Sequence, residues 1–399
     1  MWIYFLFVRL AALFGHRKAK MLVQGQAQTI PALSKTIQPD DKVIWFHASS
    51  VGEFEQAIPL IEMLHKQQPQ YRIVATFFSP SGYNHFKNYE LADVFYLPFA
   101  SRTKAHRFVQ LLRPKMVFFV KYDLWPAYLK ELKEKKIPTY LISSIFRPSQ
   151  FFFSIFGGAY LNLLHCFTHI FVQNEASKKL LGEHGVKNVT VMGDTRFDRV
   201  DDIANKHQQL PIVEAFVKNA QKVIVAGSTW PKDEVLLARY LENRPDVRLI
   251  LAPHELNEKH LQFIFQLFEG RYANYSQTDE HNSGSARILL IDVIGKLSSI
   301  YAYGDVAYIG GGFGKGIHNT LEAAVYGVPV LFVTNYKRFR EACDLVENKG
   351  GFVVKNYKTL EENMDYALDD CKAIGKITKA YVQAEKGTTQ KIYNFIWKA

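Results

Sequence analysis

Short runs rich in Val, Ile and Phe recur along the chain and alternate with longer stretches in which apolar residues return every three or four positions. The first pattern suits strands buried on both faces, the second helices covered on one side. Strands are predicted at 43–46, 72–77, 94–97, 116–120, 139–142, 170–172 and 189–191, with helices at 53–66, 103–112 and 124–135 among them. After Gly193-Asp194-Thr195-Arg196-Phe197-Asp198 the pattern restarts, with strands at 223–226, 247–252, 288–291, 306–309, 328–332 and 352–354. Alternation of this kind builds right-handed βαβ units and parallel sheets, so the expected fold class is α/β with two doubly wound, Rossmann-like domains. The polar segment 199–209 is the expected linker, and 374–397 reads as one helix. The expected divisions are an N-terminal helix at 1–22, domains at 23–198 and 199–373, and a tail at 374–399 placed to cross back to the first domain.

Composition adds limits. With 399 residues, 48% of them hydrophobic, the chain can fill two cores of roughly 180 residues each. Cys166, Cys343 and Cys371 form no CxxC pair or metal spacing, which points to inert thiols in a reducing compartment. The formal charge of +11 calls for an anionic partner: nucleic acid, anionic lipid or a phosphorylated substrate. No acidic residue precedes Asp40, whereas Arg9, Arg17, Lys18, Lys20 and Lys35 do, and a second basic stretch runs through Arg102, Lys104, Arg107, Arg113 and Lys115. The chain has no RNP motif, zinc finger or helix-turn-helix signature, so no nucleic-acid partner is expected.

The first 14 residues are apolar except for Arg9 and lead straight into the basic cluster. That length falls short of the roughly 20 residues a bilayer span needs, and a secretory signal would carry its charge ahead of the apolar run. An interfacial helix fits, with Trp2, Tyr4 and the phenylalanines in lipid and Arg9, Arg17, Lys18 and Lys20 at anionic headgroups. A core helix under the first sheet is the alternative.

Two segments carry candidate chemistry, each following an apolar strand and leading into a helical pattern, where open α/β sheets bind their ligands. One is Ser49-Ser50-Val51-Gly52-Glu53. A carboxylate in the first turn of a helix is kept ionised by the dipole and can take the proton of an acceptor hydroxyl, while Gly52 leaves room for a substrate. A capping box of Ser50 with Glu53 gives the same spacing. The other segment is Gly310-Gly311-Gly312-Phe313-Gly314-Lys315-Gly316, followed by His318-Asn319-Thr320-Leu321-Glu322. It is neither a dinucleotide fingerprint nor a Walker loop, but close-approaching amides, a helix start near His318 and the Lys315 charge make it a candidate anion cradle. A tight turn is the alternative there. Asn319 and Glu322 share a helix face, as a phosphate contact and a ribose-diol acceptor, or as a plain cap. Together a carboxylate in one half and an anion cradle in the other suggest a cleft enzyme that joins a charged donor to an acceptor. No Asp-x-Asp pair occurs, which argues against a donor held through a divalent metal; His165 and His169 read as structural, and the absence of a Gly-x-Ser-x-Gly elbow leaves serine acyl transfer unsupported.

With these residues assembled, the sequence resembles the 3-deoxy-D-manno-octulosonic acid (Kdo) transferases of lipopolysaccharide synthesis. The resemblance runs through residues 50–53, Asp123-Leu124-Trp125-Pro126, Gln173-Asn174-Glu175, residues 193–198, Gly227-Ser228-Thr229, Gly310-Gly311-Gly312 and Asn319-Thr320-Leu321-Glu322. It implies the GT-B fold, two such domains facing a central cleft, and inverting transfer of Kdo from CMP-Kdo to a lipid A precursor at the cytoplasmic face of the inner membrane, with no metal and no cofactor. By position, Glu53 corresponds to the catalytic base. Pro253-His254, Ile294-Gly295-Lys296 and Asn319 to Glu322 correspond to CMP-binding segments, to which Ser228, Thr229, Gly311, Gly312 and Lys315 are added. Ser49, Ser50, Gly52, Asp123 and Arg147 are the expected acceptor contacts. Two positions depart from the family pattern: His254 stands where an Arg commonly follows the proline, and Lys121 where an acid commonly precedes the Leu-Trp-Pro element. A transferase or epimerase using a UDP-sugar, and a membrane-docked nucleotide-binding protein without catalysis, are the other readings.

Overall fold

Along the strand Val43–Ala48 (β1) successive side chains point to opposite faces, so Val43 and Trp45 enter one apolar cluster while Ile44, Phe46 and Ala48 enter another. A strand buried on both faces must be covered by helices on both sides. Trp45 is the anchor of the first face, in ring contact with Phe108, Phe119 and Tyr128 at centroid distances of 5.1, 5.6 and 5.7 Å.

A computed structural model describes residues 2–99, 101–154, 156–206, 208–314 and 316–398, the side chains of residues 2–5 lying outside the described set. The chain divides into two compact units, Met1–Arg199 with Lys386–Ala399, and Val200–Glu385. In the first unit β1 is joined by Arg72–Phe77 (β2), Asp93–Tyr96 (β3), Met116–Val120 (β4), Thr139–Ser144 (β5), His169–Val172 (β6) and Val189–Val191 (β7). They form a parallel sheet of order β3-β2-β1-β4-β5-β6-β7. The second unit contains Lys222–Thr229 (β8), Val247–Pro253 (β9), Tyr272–Asn274 (β10), Ile288–Leu290 (β11), Val306–Ile309 (β12), Val330–Val333 (β13) and Gly351–Val354 (β14). Its sheet is also parallel, in the order β10-β11-β9-β8-β12-β13-β14. In each sheet the direction of winding reverses beside the first strand, between β1 and β4 and between β8 and β12. The crevice outside the strand ends at such a switch point is where doubly wound sheets take ligands.

Four elements differ from the sequence pattern. The N-terminal helix expected to end at residue 22 is two helices, Trp2–Leu13 and Arg17–Thr36, parted at Gly15, whose φ is 85°. The second extends because Leu22, Gln26, Thr29 and Leu33 give it a buried stripe of its own. Among the described residues no helix is long and apolar enough to cross a membrane. The expected linker is largely the helix Arg196–Asn205. The tail is broken into Cys371–Glu385 and Thr388–Trp397 by Gly387 at φ 96°. Asp198 fixes that break, accepting hydrogen bonds from the N–H of Gly387 and Thr389 and from the Thr389 hydroxyl at 2.5, 2.7 and 2.6 Å. The last helix then buries Ile392 and Tyr393 in the core of the first unit. β10 carries no apolar run and was not legible as a strand.

Candidate active site

The first unit brings its candidate residues together at the β1 and β4 ends. β1 and β4 are paired, His47 opposite Phe119, so the segments leaving them are neighbours. Beyond β1 the chain starts the helix Val51–Gln67, whose first turn carries Glu53. Ser50 makes no side-chain cap bond. Glu53 instead accepts a hydrogen bond from the Ser49 N–H at 2.9 Å, and the Ser49 hydroxyl donates to Asp123 Oδ1 at 2.7 Å. Ser49 thus ties the two carboxylates to one residue. A Cβ placed on Gly52 would meet nothing within 4 Å, so the space in front of this turn is open. Arg147 lies in the segment after β5, the neighbour of β4, with its N–H bound to Gln150 Oε1 at 2.9 Å.

Burial, and secondly the Glu53 charge, push the Asp123 carboxyl up to about 7, against the opposing bond from Ser49. Behind it sits His47, fully buried and pushed down to about 3 by that burial. Its 3.6 Å approach to Asp123 is therefore not an ion pair. His47 Nδ1 lies 3.0 Å from the Thr76 carbonyl, which can only accept, so Nδ1 carries the proton and Nε2 the lone pair. Nε2 and Asp123 Oδ2 are both buried without a hydrogen-bond partner. A proton on Oδ2 would face that lone pair, but the 3.6 Å between the two atoms is too long for a hydrogen bond. His47 carried no sequence signal beyond its place after an apolar run.

The second unit has its own cluster at the β8 and β12 ends. β8 ends in Ser228, held at φ 54°, and Thr229, which pairs with Pro253; the His254 N–H then donates to the Thr229 carbonyl at 3.0 Å. Gly310 packs so closely on Ser228 and Thr229 that a Cβ would strike their backbone, and Gly311 takes φ 92°, with a Cβ only 2.8 Å from the Gly316 carbonyl. Asp233, fully buried, organises this loop. It accepts from the Tyr308 hydroxyl at 2.8 Å, the Trp230 N–H at 3.0 Å and the Gly311 N–H at 3.2 Å. The cradle is consequently smaller than the sequence suggested. The N–H groups of Gly310, Gly311 and Gly314 are spent on Gly227, Asp233 and Gly311, while those of Gly312 and Phe313 make no hydrogen bond among the described residues. Lys315 lies outside the described residues.

A pocket of about 630 Å³ opens in front of this loop, lined by Trp230, Lys232, Asp233, His254, Phe313 and His318 among others. Trp230 stacks on His254 at 4.9 Å and His254 leans on His318 at 4.4 Å. Burial, then the neighbouring His254, hold His318 down at about 4, so it is neutral near pH 7. One residue on, Asn319 donates to Glu322 Oε1 at 3.0 Å and Ser298 to Oε2 at 2.8 Å. The second bond joins the helix Leu321–Ala324 to the segment after Ile294-Gly295-Lys296, in which Ile294 is 83% exposed and Lys296 reaches Gln208. This helix starts at Leu321, not near His318, and has only four residues, with Gly327 at φ 77° just beyond its end. Thr320 and Leu321 are buried beneath the turn. Sequence reasoning missed Trp230, Lys232 and Asp233; the available signal was Pro231 with Asp233 and Glu234 in the first turn, a helix-start pattern directly after Gly-Ser-Thr.

Residues 21–199 match the family model described as 3-Deoxy-D-manno-octulosonic-acid transferase (kdotransferase). The chain is 24% identical to a 3-deoxy-D-manno-octulosonic acid transferase of Rickettsia bellii (strain RML369-C) over 380 residues, 92% of this chain and 88% of the relative. It is 25% identical to the protein of that name from Haemophilus influenzae (strain ATCC 51907 / DSM 11121 / KW20 / Rd), covering 90% of this chain and 87% of the relative. Among solved structures, UDP-GlcNAc 2-epimerase from Neisseria meningitidis bound to UDP-GlcNAc has a TM-score of 0.65 over 90% of this chain and 100% of its own, at 16% identity. That likeness is one of fold.

Proposed function

We propose, from its similarity to Kdo transferases along most of its length, that this chain is a GT-B glycosyltransferase that moves Kdo from CMP-Kdo to a lipid A precursor, with inversion at the anomeric carbon and without a bound metal. The observation that carries the mechanism is the Glu53–Ser49–Asp123 arrangement at the switch point of the first sheet. An acceptor hydroxyl oxygen attacks the anomeric carbon, the bond from that carbon to the CMP phosphate oxygen breaks with its electron pair going to CMP, and the hydroxyl proton passes to Glu53. Asp123 keeps its own proton up to about pH 7. Glu53, tied to Asp123 through Ser49, is the group assigned to take the proton.

In the second unit Trp230 and His254 offer a stacking wall for a flat base, and Glu322, held by Asn319 and Ser298, can accept from a ribose diol. The amides of Gly312 and Phe313, with Lys232 in the pocket wall, are placed to receive the charge that develops on the leaving phosphate; fixed dipoles and a nearby ammonium do in such a site what a metal does elsewhere. The enzyme docks peripherally on the cytoplasmic face of the inner membrane through its first helix, on which Leu6, Phe7 and Leu13 are more than half exposed, as is Phe14 just after it, beside a basic cluster. Mass spectrometry of a reaction with CMP-Kdo and a lipid A precursor tests the reading. It should find Kdo-bearing lipid and free CMP in equal amounts; turnover of a UDP-sugar with no Kdo product would overturn it.

A further inference from the structure

A second cavity, of about 350 Å³, lies in the first unit where the helices Arg17–Thr36 and Arg102–Leu112 approach the segment after β3. Three cations line it: Arg9, Lys104 and Arg107. Lys104 and Arg107 have no carboxylate partner among the described residues, and concentrated positive charge of this kind attracts an anion. Its wall also contains Gln26, which is 7% exposed, with both the amide nitrogen and the amide oxygen buried and without a partner. An amide left in that state is costly unless a bound molecule completes it. The remaining wall is apolar, through Val23, Ile30 and Phe99. Leu6 and Leu13, 58% and 82% exposed, stand three residues before and four after Arg9, on the same side of their helix.

We infer that this cavity is a binding site for one anionic phospholipid, its phosphate among Arg9, Lys104 and Arg107, its glycerol oxygens on the Gln26 amide, and its acyl chains along the apolar wall and the exposed leucines. A free phosphate ion would use the cations alone and leave the apolar wall and the Gln26 amide unanswered. The site takes no part in transfer and is read without donor or acceptor, so its failure leaves the transferase reading untouched.

The test is titration of the full-length protein with dihexanoyl phosphatidylglycerol below its micellar concentration, with glycerol phosphate and inorganic phosphate in parallel. Saturable binding of the lipid is expected, at least about tenfold tighter than either soluble anion. Ala27 lines the cavity from an exposed position, so A27W should fill it with no effect on the melting temperature. Both A27W and the double variant K104E/R107E should bind the lipid at least about tenfold more weakly. Equal binding of lipid and inorganic phosphate, or lipid affinity unchanged in A27W, would overturn the proposal.

Discussion

At the scale of single residues, Asp123 is the most informative group in the first unit. Its carboxyl titrates near 7 in the folded chain because it is buried beside Glu53, against about 3.9 when unfolded. The native state therefore holds a proton that the unfolded chain releases. That contribution to stability is complete below pH 4 and is lost as pH rises through about 7. D123N removes the titration. It is expected to make the protein more stable than wild type at pH 8, by an amount on the order of a few kcal/mol, with the gain shrinking at pH 5. Urea unfolding at the two pH values measures this, and an unchanged pH slope in D123N would show that the proton sits elsewhere. Glu53 was legible in the sequence because a carboxylate followed a strand and opened a helix. His47 was not. The apolar run ends at Phe46, whereas Thr76 satisfies one His47 ring nitrogen and lets the strand continue buried to Ala48.

Between residue and molecule stand the loops that follow β8 and β12. The glycine-rich segment reads as a cradle from composition alone, but which amides remain available depends on Asp233, 78 positions earlier, and no local pattern reports a partner so distant. Strands such as β4 and β7 ended where their β-branched runs ended; the tail helix did not, because a single Gly387 and the distant Asp198 decide the break. The same dependence makes the loop brittle. In G311A the new methyl group would need φ near 92° and would press on the Gly316 carbonyl, a strain of about 1 to 3 kcal/mol. Calorimetric titration with CMP should show affinity reduced about tenfold or more, with circular dichroism close to wild type. Unaltered CMP affinity in a folded G311A would remove this loop from the donor site.

For the whole molecule, two seven-stranded sheets wound alike each place their candidate chemistry at a switch point, and the pattern of apolar runs predicted two doubly wound domains and every one of these strands except β10. The charge of +11 and the bare apolar side chains of the first helix belong to this scale too. Deleting residues 2–13 is expected to move the protein from the pelleted membrane fraction to the supernatant at physiological salt, as the interfacial docking proposed for that helix requires. Continued sedimentation would place the membrane contact elsewhere. The most direct measurement is the rate of Kdo transfer from saturating CMP-Kdo to saturating lipid A precursor by E53Q and by wild type, with CMP affinity measured on both. The account predicts turnover reduced by about 100-fold or more at equal CMP affinity; an E53Q rate within a few fold of wild type would contradict it.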